Sequence, residues 1–520
     1  MFSNTVSSVQ KAVSVLATGI VALALALLLA HYVSAMLQPV RWPTRYYFIG
    51  MFFVALYVKQ RTSIMLFVFS LPLIPDFHLQ LEAVLKPSVK YFVSHPALDL
   101  VAGLCLGLWL KQTWLNKKVE AVFPAVPWPL GLLVITLVVS VSVAVLRNLE
   151  VTDPLEIDVS IILEQLLRFK LINAPNDYLP VVDLLNYCFA ILTIVLLIPL
   201  LRTFDAQQRE EVIFKPLILS LIASALWGVF QSLSGVGLSE ITLDYLRSDF
   251  GYGAQGFQPD LHAFAAVMLI GTVGILGFLR KANRQNVLLG CVCSAVCWTA
   301  LILSKSKTSF VLAVLSNGVF LVVLLRSKGV QLQKTLYFVA AALGGLFLLL
   351  LFAKDLGWAK TLVGLAFTPE SWSFDHLNKV LVYRPELFRA ALLMFSDWPI
   401  FGVGQGNFFR LSSNIDLSHS AYMVQKGGEN AHNYFLQTLA ETGLVGVSAF
   451  VLAISWPFFQ VDRLSTLSAP SIAIYSVFLG NVFSHSLLVR PNLILLAVFL
   501  ALLYASVDCS KSKTIHREIS

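Results

Sequence analysis

Charged side chains are scarce in this sequence. Asp, Glu, Lys and Arg make up 13% of 520 residues, about half the roughly 25% of a soluble domain. With a mean hydropathy of +0.78, that scarcity excludes an ordinary soluble protein. Cysteine is sparse too. Cys105, Cys188, Cys291, Cys293 and Cys297 fall inside apolar segments and Cys509 in a basic tail, which leaves no disulfide framework for an outer loop. Cys293 and Cys297 share a helix face, but no His or carboxylate cluster completes a metal site with them. The one conspicuous glycine-rich turn does not open a strand–helix phosphate loop, so nucleotide binding is excluded as well.

What the chain has in abundance is apolar runs of the length, about 20 residues, that crosses a bilayer. Examples are "AVSVLATGIVALALALLLAHYVSAML" (13–38), "WPLGLLVITLVVSVSVAVL" (128–146) and "LYFVAAALGGLFLLLLFA" (336–353). The first is too long, and has too many companions, to be a cleaved signal peptide. Expected spans are 13–38, 46–58, 62–75, 97–111, 128–146, 180–201, 213–234, 261–279, 286–303, 308–325, 335–353, 443–459, 471–487 and 490–507. The second and third are short enough to form a re-entrant hairpin instead, and both alternatives leave later segments facing the same way.

Placing the N-terminus in the cytoplasm puts the basic stretches "KQR" (59–61), "KQTWLNKK" (111–118), "RTFDAQQRE" (202–210), "RKANR" (280–284), "RSKGVQLQK" (326–334) and the tail "KSKTIHRE" (511–518) inside, as the positive-inside rule requires. The net charge of +8 therefore reports membrane topology and not nucleic-acid binding. The expectation is an all-α polytopic membrane protein of about 12–14 transmembrane helices with a large helical outer loop. It divides into N-terminal transmembrane helices (1–235), central transmembrane helices with outer basic loops (236–353), the long outer loop (354–442), and C-terminal helices with a basic cytoplasmic tail (443–520).

The long outer loop concentrates the polar groups. It is too aromatic and periodic to be disordered, and predicts two short helices around "DHLNKVLVY" and "PELFRAALLMF". Pro385 suits the first position of a helix and places Arg384 at its entrance, with Arg389 about one and a half turns further on. "WPIFGVGQGNF" (398–408) sets Gly402, Gly404 and Gly406 within five positions, which suits a tight turn whose backbone comes close to another group.

Next comes "GGENAHNYFLQTLAETGLVG" (427–446). Asn430 is expected to cap a helix from about Ala431 to Thr442. On such a helix His432, Leu436, Leu439, Gly443 and Gly446 fall within roughly 40° either side of one line, while Glu441 points to the opposite side. Gly443 and Gly446 would let another helix or a lipid approach; alternatively, Gly443 ends one helix and begins the membrane span. Under both readings His432 sits at the outer border and aims into the bundle.

Other outer cations are Lys305 and Lys307 in "SKSK" (304–307), Arg247 in "LRSDFGYGAQGFQPDLHAF", and Arg490 beside His485 in "FSHSLLVRPN". Each alone reads as a headgroup anchor. Together Arg247, Lys305, Lys307, Arg384, Arg389 and Arg490 supply a cationic, outward-facing pocket around one histidine, suited to an anion such as a diphosphate.

These segments resemble the O-antigen ligase and O-antigen polymerase superfamily. "HNYFLQTLAETGLVG" is similar to its signature of His, then Asn/Ser/Gln, nine residues, then Gly-x-x-Gly, here His432, Asn433, Gly443 and Gly446. "YRPELFRAALLMFSDWPIFGVGQGNF" looks like the family's arginine before a tryptophan–proline–glycine turn, and "GFQPDLHAFAAVML" and "ILSKSKTSFVLAVL" like two earlier blocks. The similarity covers about residues 240–450. The chain departs at Asp260, where the family often has Asn, and at Lys307, where an arginine's bidentate fork is lost.

The resemblance implies a GT-C-like glycosyltransferase in the bacterial inner membrane. It would work at the periplasmic face, without cofactor, metal or nucleotide sugar, on an undecaprenyl-diphosphate-linked glycan and a lipid A core or other glycan acceptor. His432 would be the base, and Arg384 or Arg389 with Arg247 would bind the diphosphate. Ligase and polymerase differ only in acceptor. A lipid-linked-oligosaccharide flippase is the alternative from another class, although transporters place charges at mid-membrane.

Overall fold

The computed structural model describes residues 2–36, 46–74, 96–115, 126–151, 179–238, 252–258, 261–279, 284–327, 373–381, 383–460, 476, 478, 480–481, 487 and 490–518. Among them there is helix and no strand. The apolar helices are α1 (Phe2–Met36), α2 (Tyr46–Tyr57), α3 (Gln60–Ser70), α4 (Pro96–Leu110), α5 (Trp128–Val151), α6 (Leu179–Arg202), α7 (Ala206–Ser234), α8 (Leu261–Leu279), α9 (Arg284–Leu303) and α10 (Lys307–Ser327). Short helices α11 (Phe374–Val380), α12 (Arg384–Asp397), α13 (Phe408–Ser412), α14 (Ile415–Ser418) and α15 (Ala421–Lys426) follow, then α16 (Tyr434–Phe459) and α17 (Arg490–Glu518).

Ser8–Ala26, Trp128–Arg147, Gln207–Ser234 and Tyr434–Phe459 are long and apolar enough to cross a membrane, and six shorter apolar helices accompany them. The chain is an all-α polytopic membrane protein. The span expected at 335–353 lies outside the described residues, as does most of 471–487. Helices α2 and α3 hold 12 and 11 residues, about 18 and 16 Å of helix, joined by a turn at Val58 and Lys59. The basic tail continues α17 as helix to Glu518.

Packing follows the small residues. Gly103 and Gly107 of α4 lie against the carbonyls of Phe48 and Phe52 in α2, so close that a Cβ would sit 2.6 and 2.5 Å from them. Paired small residues four apart let membrane helices approach in this way. Gly131 of α5 meets Val13 and Ala17 of α1, and Trp128 packs edge-on against Trp456 of α16 at 4.7 Å. Helix α5 thereby lies between α1 and α16 and carries its C-terminal end to the long connection between α10 and α16. Outward positions stay apolar, Leu219 and Leu233 being 61% and 75% exposed, as a lipid-facing surface requires.

Candidate functional site

Helix α12 begins where the sequence puts a proline. Tyr383 precedes it in the left-handed region (φ 60°), and Pro385 sits in the first turn, where a missing N–H costs nothing. The entrance is tied down on both sides. Glu386 receives Ser420 Oγ at 2.6 Å, its N–H donates to Asn378 Oδ1 at 3.0 Å, and the Tyr383 ring stacks on Tyr422 at 4.3 Å. Helix α12 buries Leu387, Ala390, Ala391 and Met394 in a small core shared with Val403, Phe408, Met423, Ala431 and Ala440. Arg384 is half-buried at this entrance, and burial lowers its guanidinium pKa. Arg389 is exposed on another side, 5.7 Å above the Phe374 ring. The two arginines that the sequence leaves equivalent are thus in different surroundings.

The histidine is not on a helix. His432 has φ 50°, and α16 begins two residues later, capped by Asn433, whose side chain accepts the Leu436 N–H at 3.1 Å. The expected helix from Ala431, with Asn430 as its cap, is therefore corrected. The helical face assigned to His432 does not exist, and what presents the ring is a left-handed loop residue. Asn433 acts as an N-cap, which gives the position after the histidine a physical role. Asn481 accepts the Tyr434 N–H at 2.9 Å and holds the start of α16 from outside, and the hydroxyls of Tyr434 and Tyr187 are hydrogen-bonded in the interior.

Beside the ring stands a carboxylate. Glu429 Oε1 is 3.7 Å from His432 Nε2, within ion-pair distance when the imidazole is protonated. The same oxygen accepts the Asn430 N–H at 2.9 Å, and the Glu429 N–H donates to Ser412 Oγ at 2.9 Å. Glu429 was not among the expected site residues. Its i, i+3 spacing from the histidine is the signal that was there to be read.

The glycines explain each other. Gly443 has φ 63° and ψ −166° inside α16, a region that glycine alone occupies readily. The break takes the Leu444 and Val445 N–H groups away from the carbonyls of Ala440 and Glu441. All four find partners in the turn that follows α12. Leu444 N donates to Pro399 O (2.9 Å) and Val445 N to Ile400 O (3.3 Å), while Ala440 O and Glu441 O accept from Val403 N and Gly404 N, both at 2.8 Å. A Cβ on Gly443 would overlap Ile400, one on Gly402 the Glu441 carbonyl, and one on Gly404 the Ala144 backbone of α5. The close backbone approach expected of the glycine-rich turn is present. The partner that approaches Gly443 is this turn, not a second helix or a lipid, and Gly446 faces Thr442 of its own helix. Glu441 faces the same turn and is buried. Arg147, at the end of α5, covers the Trp398 ring at 4.0 Å, adding a half-buried cation that sequence reading passed over.

A second cluster joins the two earlier blocks. Lys305 is exposed at the tip of the α9–α10 turn with φ 58°, next to Ser306, whose hydroxyl is 3.4 Å from Nδ1 of His262. Ala254 N donates to Leu303 O at 3.1 Å. Arg247 and Asp260 lie outside the described residues. Lys307 and Arg490 open α10 and α17, but their side chains lie outside the described residues too. No group of three His, Cys, Asp or Glu arranged to hold a metal occurs among the described residues.

The fold and this site define a class: an all-helical membrane protein with a loop-borne histidine and carboxylate, locked to a broken helix. Residues 289–451 match the family model described as O-antigen ligase, which supports assignment of the chain to the O-antigen ligase/polymerase superfamily and a ligase- or polymerase-type function in general. The matched stretch runs from α9 to α16 and includes the His432 loop, the glycine turn and the break. A search of curated proteins gives no match.

Proposed function

We propose that this protein is a glycan ligase of the bacterial inner membrane. It moves a glycan from undecaprenyl diphosphate to a sugar hydroxyl of a lipid A core at the periplasmic face, without nucleotide sugar or divalent metal. The observation that carries the reading is the pairing of His432 with Glu429 on a rigidly held loop, inside the segment that matches the family. His432 takes the proton of the acceptor hydroxyl as the new bond to the anomeric carbon forms. Histidine suits this because its pKa lies near the working pH. The bond from that carbon to the diphosphate breaks, and the electron pair leaves on the carrier. Glu429 steadies the imidazolium. Arg384, half-buried and therefore less screened, binds the diphosphate and offsets its growing charge, and Arg247 is assigned the same task. Lys305, Lys307 and Arg490 contribute long-range attraction for the anionic carrier.

The test is a transfer assay with purified protein in proteoliposomes, using an undecaprenyl-diphosphate oligosaccharide and either lipid A core or a second carrier-linked glycan. Product on the core that is lost by at least about 100-fold in His432→Ala is expected. Lengthened carrier-linked chains would make the protein a polymerase. Lipid substrate that crosses the bilayer with no product would make it a carrier.

A further inference from the structure

What holds His432 in place leads back to a buried carboxylate. Glu441 is 2% exposed. Its Oε1 accepts the Phe408 N–H at 3.3 Å and Gln437 Nε2 at 3.2 Å. Gln437, also buried, passes the contact on, because its Oε1 accepts the Ala431 N–H at 3.3 Å. Ala431 is fully buried and directly precedes His432. The main-chain carbonyl of Glu441 accepts from Gly404 N–H at 2.8 Å and from Ser140 Oγ at 3.1 Å, and Ser140 Oγ in turn accepts the Gln405 N–H at 2.9 Å. One residue therefore touches the glycine turn, helix α5 and, through one amide, the histidine loop.

The direction of that amide is chemically determined. The Phe408 N–H makes Oε1 of Glu441 an acceptor, so Gln437 must turn its NH2 toward it and its carbonyl toward Ala431. An apolar residue would fill the same space without desolvating a carboxylate, so packing alone does not account for Glu441. His432 meanwhile occupies a backbone region that non-glycine residues visit reluctantly. Bonds on either side, from Ala431 to Gln437 and from Tyr434 to Asn481, bracket it there.

We infer that Glu441 and Gln437 are positioning residues for the transfer reaction: the carboxylate orients the amide, and the amide sets the place of the His432 ring. The inference rests on the reading of His432 as the base. Misplacing a reacting group by an ångström costs on the order of 100-fold, whereas binding of the lipid donor does not pass through this relay.

The experiment uses the full chain in proteoliposomes and compares wild type, Gln437→Met, Glu441→Gln and His432→Ala, with each relay change also made in the His432→Ala background. Gln437→Met keeps the volume and removes both bonds. The expected result is a kcat lower by about 10- to 100-fold, with KM for the lipid donor within about 2-fold of wild type. No further loss is expected once His432 is absent. The rate at which diethyl pyrocarbonate modifies His432, followed on its own peptide, should change several-fold in Gln437→Met. A wild-type kcat and an unchanged modification rate would overturn the inference, and so would losses that multiply with His432→Ala. If Gln437→Met does not fold, Gln437→Asn, which keeps the amide but withdraws it by one methylene, is judged by the same criteria. If wild-type protein transfers nothing, the base reading fails, while the modification rate still decides whether Gln437 places His432.

Discussion

Replacing Gly443 by alanine tests whether the helix break and the glycine turn form one element. At φ 63° and ψ −166° an L-residue is strained by about 1–3 kcal/mol. The new methyl would also overlap the backbone of Ile400, which cannot swing aside as a flexible side chain could. Moving that strand of chain weakens the bonds from Leu444 to Pro399 and from Val445 to Ile400, each contributing about 0.5–1.5 kcal/mol. Together these give a loss of about 2–6 kcal/mol. Gly427→Ala is the control. Gly427 has φ 73° but nothing within 4 Å of its Cβ position, so it carries backbone strain alone, about 1–2 kcal/mol. Apparent melting in detergent, followed by tryptophan fluorescence at one heating rate, should show Gly443→Ala losing at least twice as much as the control. Transfer should fall by about 100-fold in Gly443→Ala and survive in Gly427→Ala. Equal melting losses, or a Gly443→Ala protein that transfers at the wild-type rate, would refute the reasoning.

The two arginines of α12 should separate. Arg384→Ala is expected to raise KM for the lipid donor and lower kcat, with Arg384→Lys intermediate because an ammonium keeps charge but loses the fork; Arg389→Ala should stay near wild type, and the reverse order in initial rates against donor concentration would exchange their assignments. Glu429→Gln should lower kcat by on the order of 10-fold, a fraction of the roughly 10²–10⁴ that general base catalysis supplies. It should also move the acid limb of the rate profile to lower pH. The sign follows from charge: a carboxylate 3.7 Å from the ring favours the imidazolium, so removing it lets the ring lose its proton at lower pH. A limb that stays in place, measured as kcat against pH, would remove Glu429 from any role beyond packing.

Much of the fold was legible because the membrane makes it so. With no water to satisfy the backbone, an apolar run has to be helix, and α5, α8, α9 and α10 fall within a few residues of the runs that predict them. The turn at 398–408 was legible for a related reason, since three glycines so close together announce a backbone that has to pass near something. The loop around His432 was not. Asn430 and Asn433 both fit an N-cap, and the apolar periodicity of 434–446 extends backward through 431 without contradiction. What decides between them is non-local: Asn481 receives the Tyr434 N–H and Gln437 receives the Ala431 N–H, and neither contact has a signature in the local sequence. The role of Glu441 was not legible for the same reason. Counted around an ideal helix it points away from the other site residues, and only the turn packed on that side turns the position into an interior one.

The lock between turn and break has a consequence for how the two motifs belong together. A break in a helix strands two N–H groups and two carbonyls, each costly to leave unpaired where it is buried, as Ala440 and Glu441 are. The glycine turn supplies two acceptors and two donors at the matching spacing, and a Cβ on its Gly402 would overlap the Glu441 carbonyl at the break. Each segment satisfies main-chain groups that the other leaves open. The tryptophan–proline–glycine turn is therefore better understood as the second half of the histidine motif than as a separate binding loop. By fixing where α16 resumes after Gly443, it fixes where Glu441 stands and through Gln437 where His432 stands.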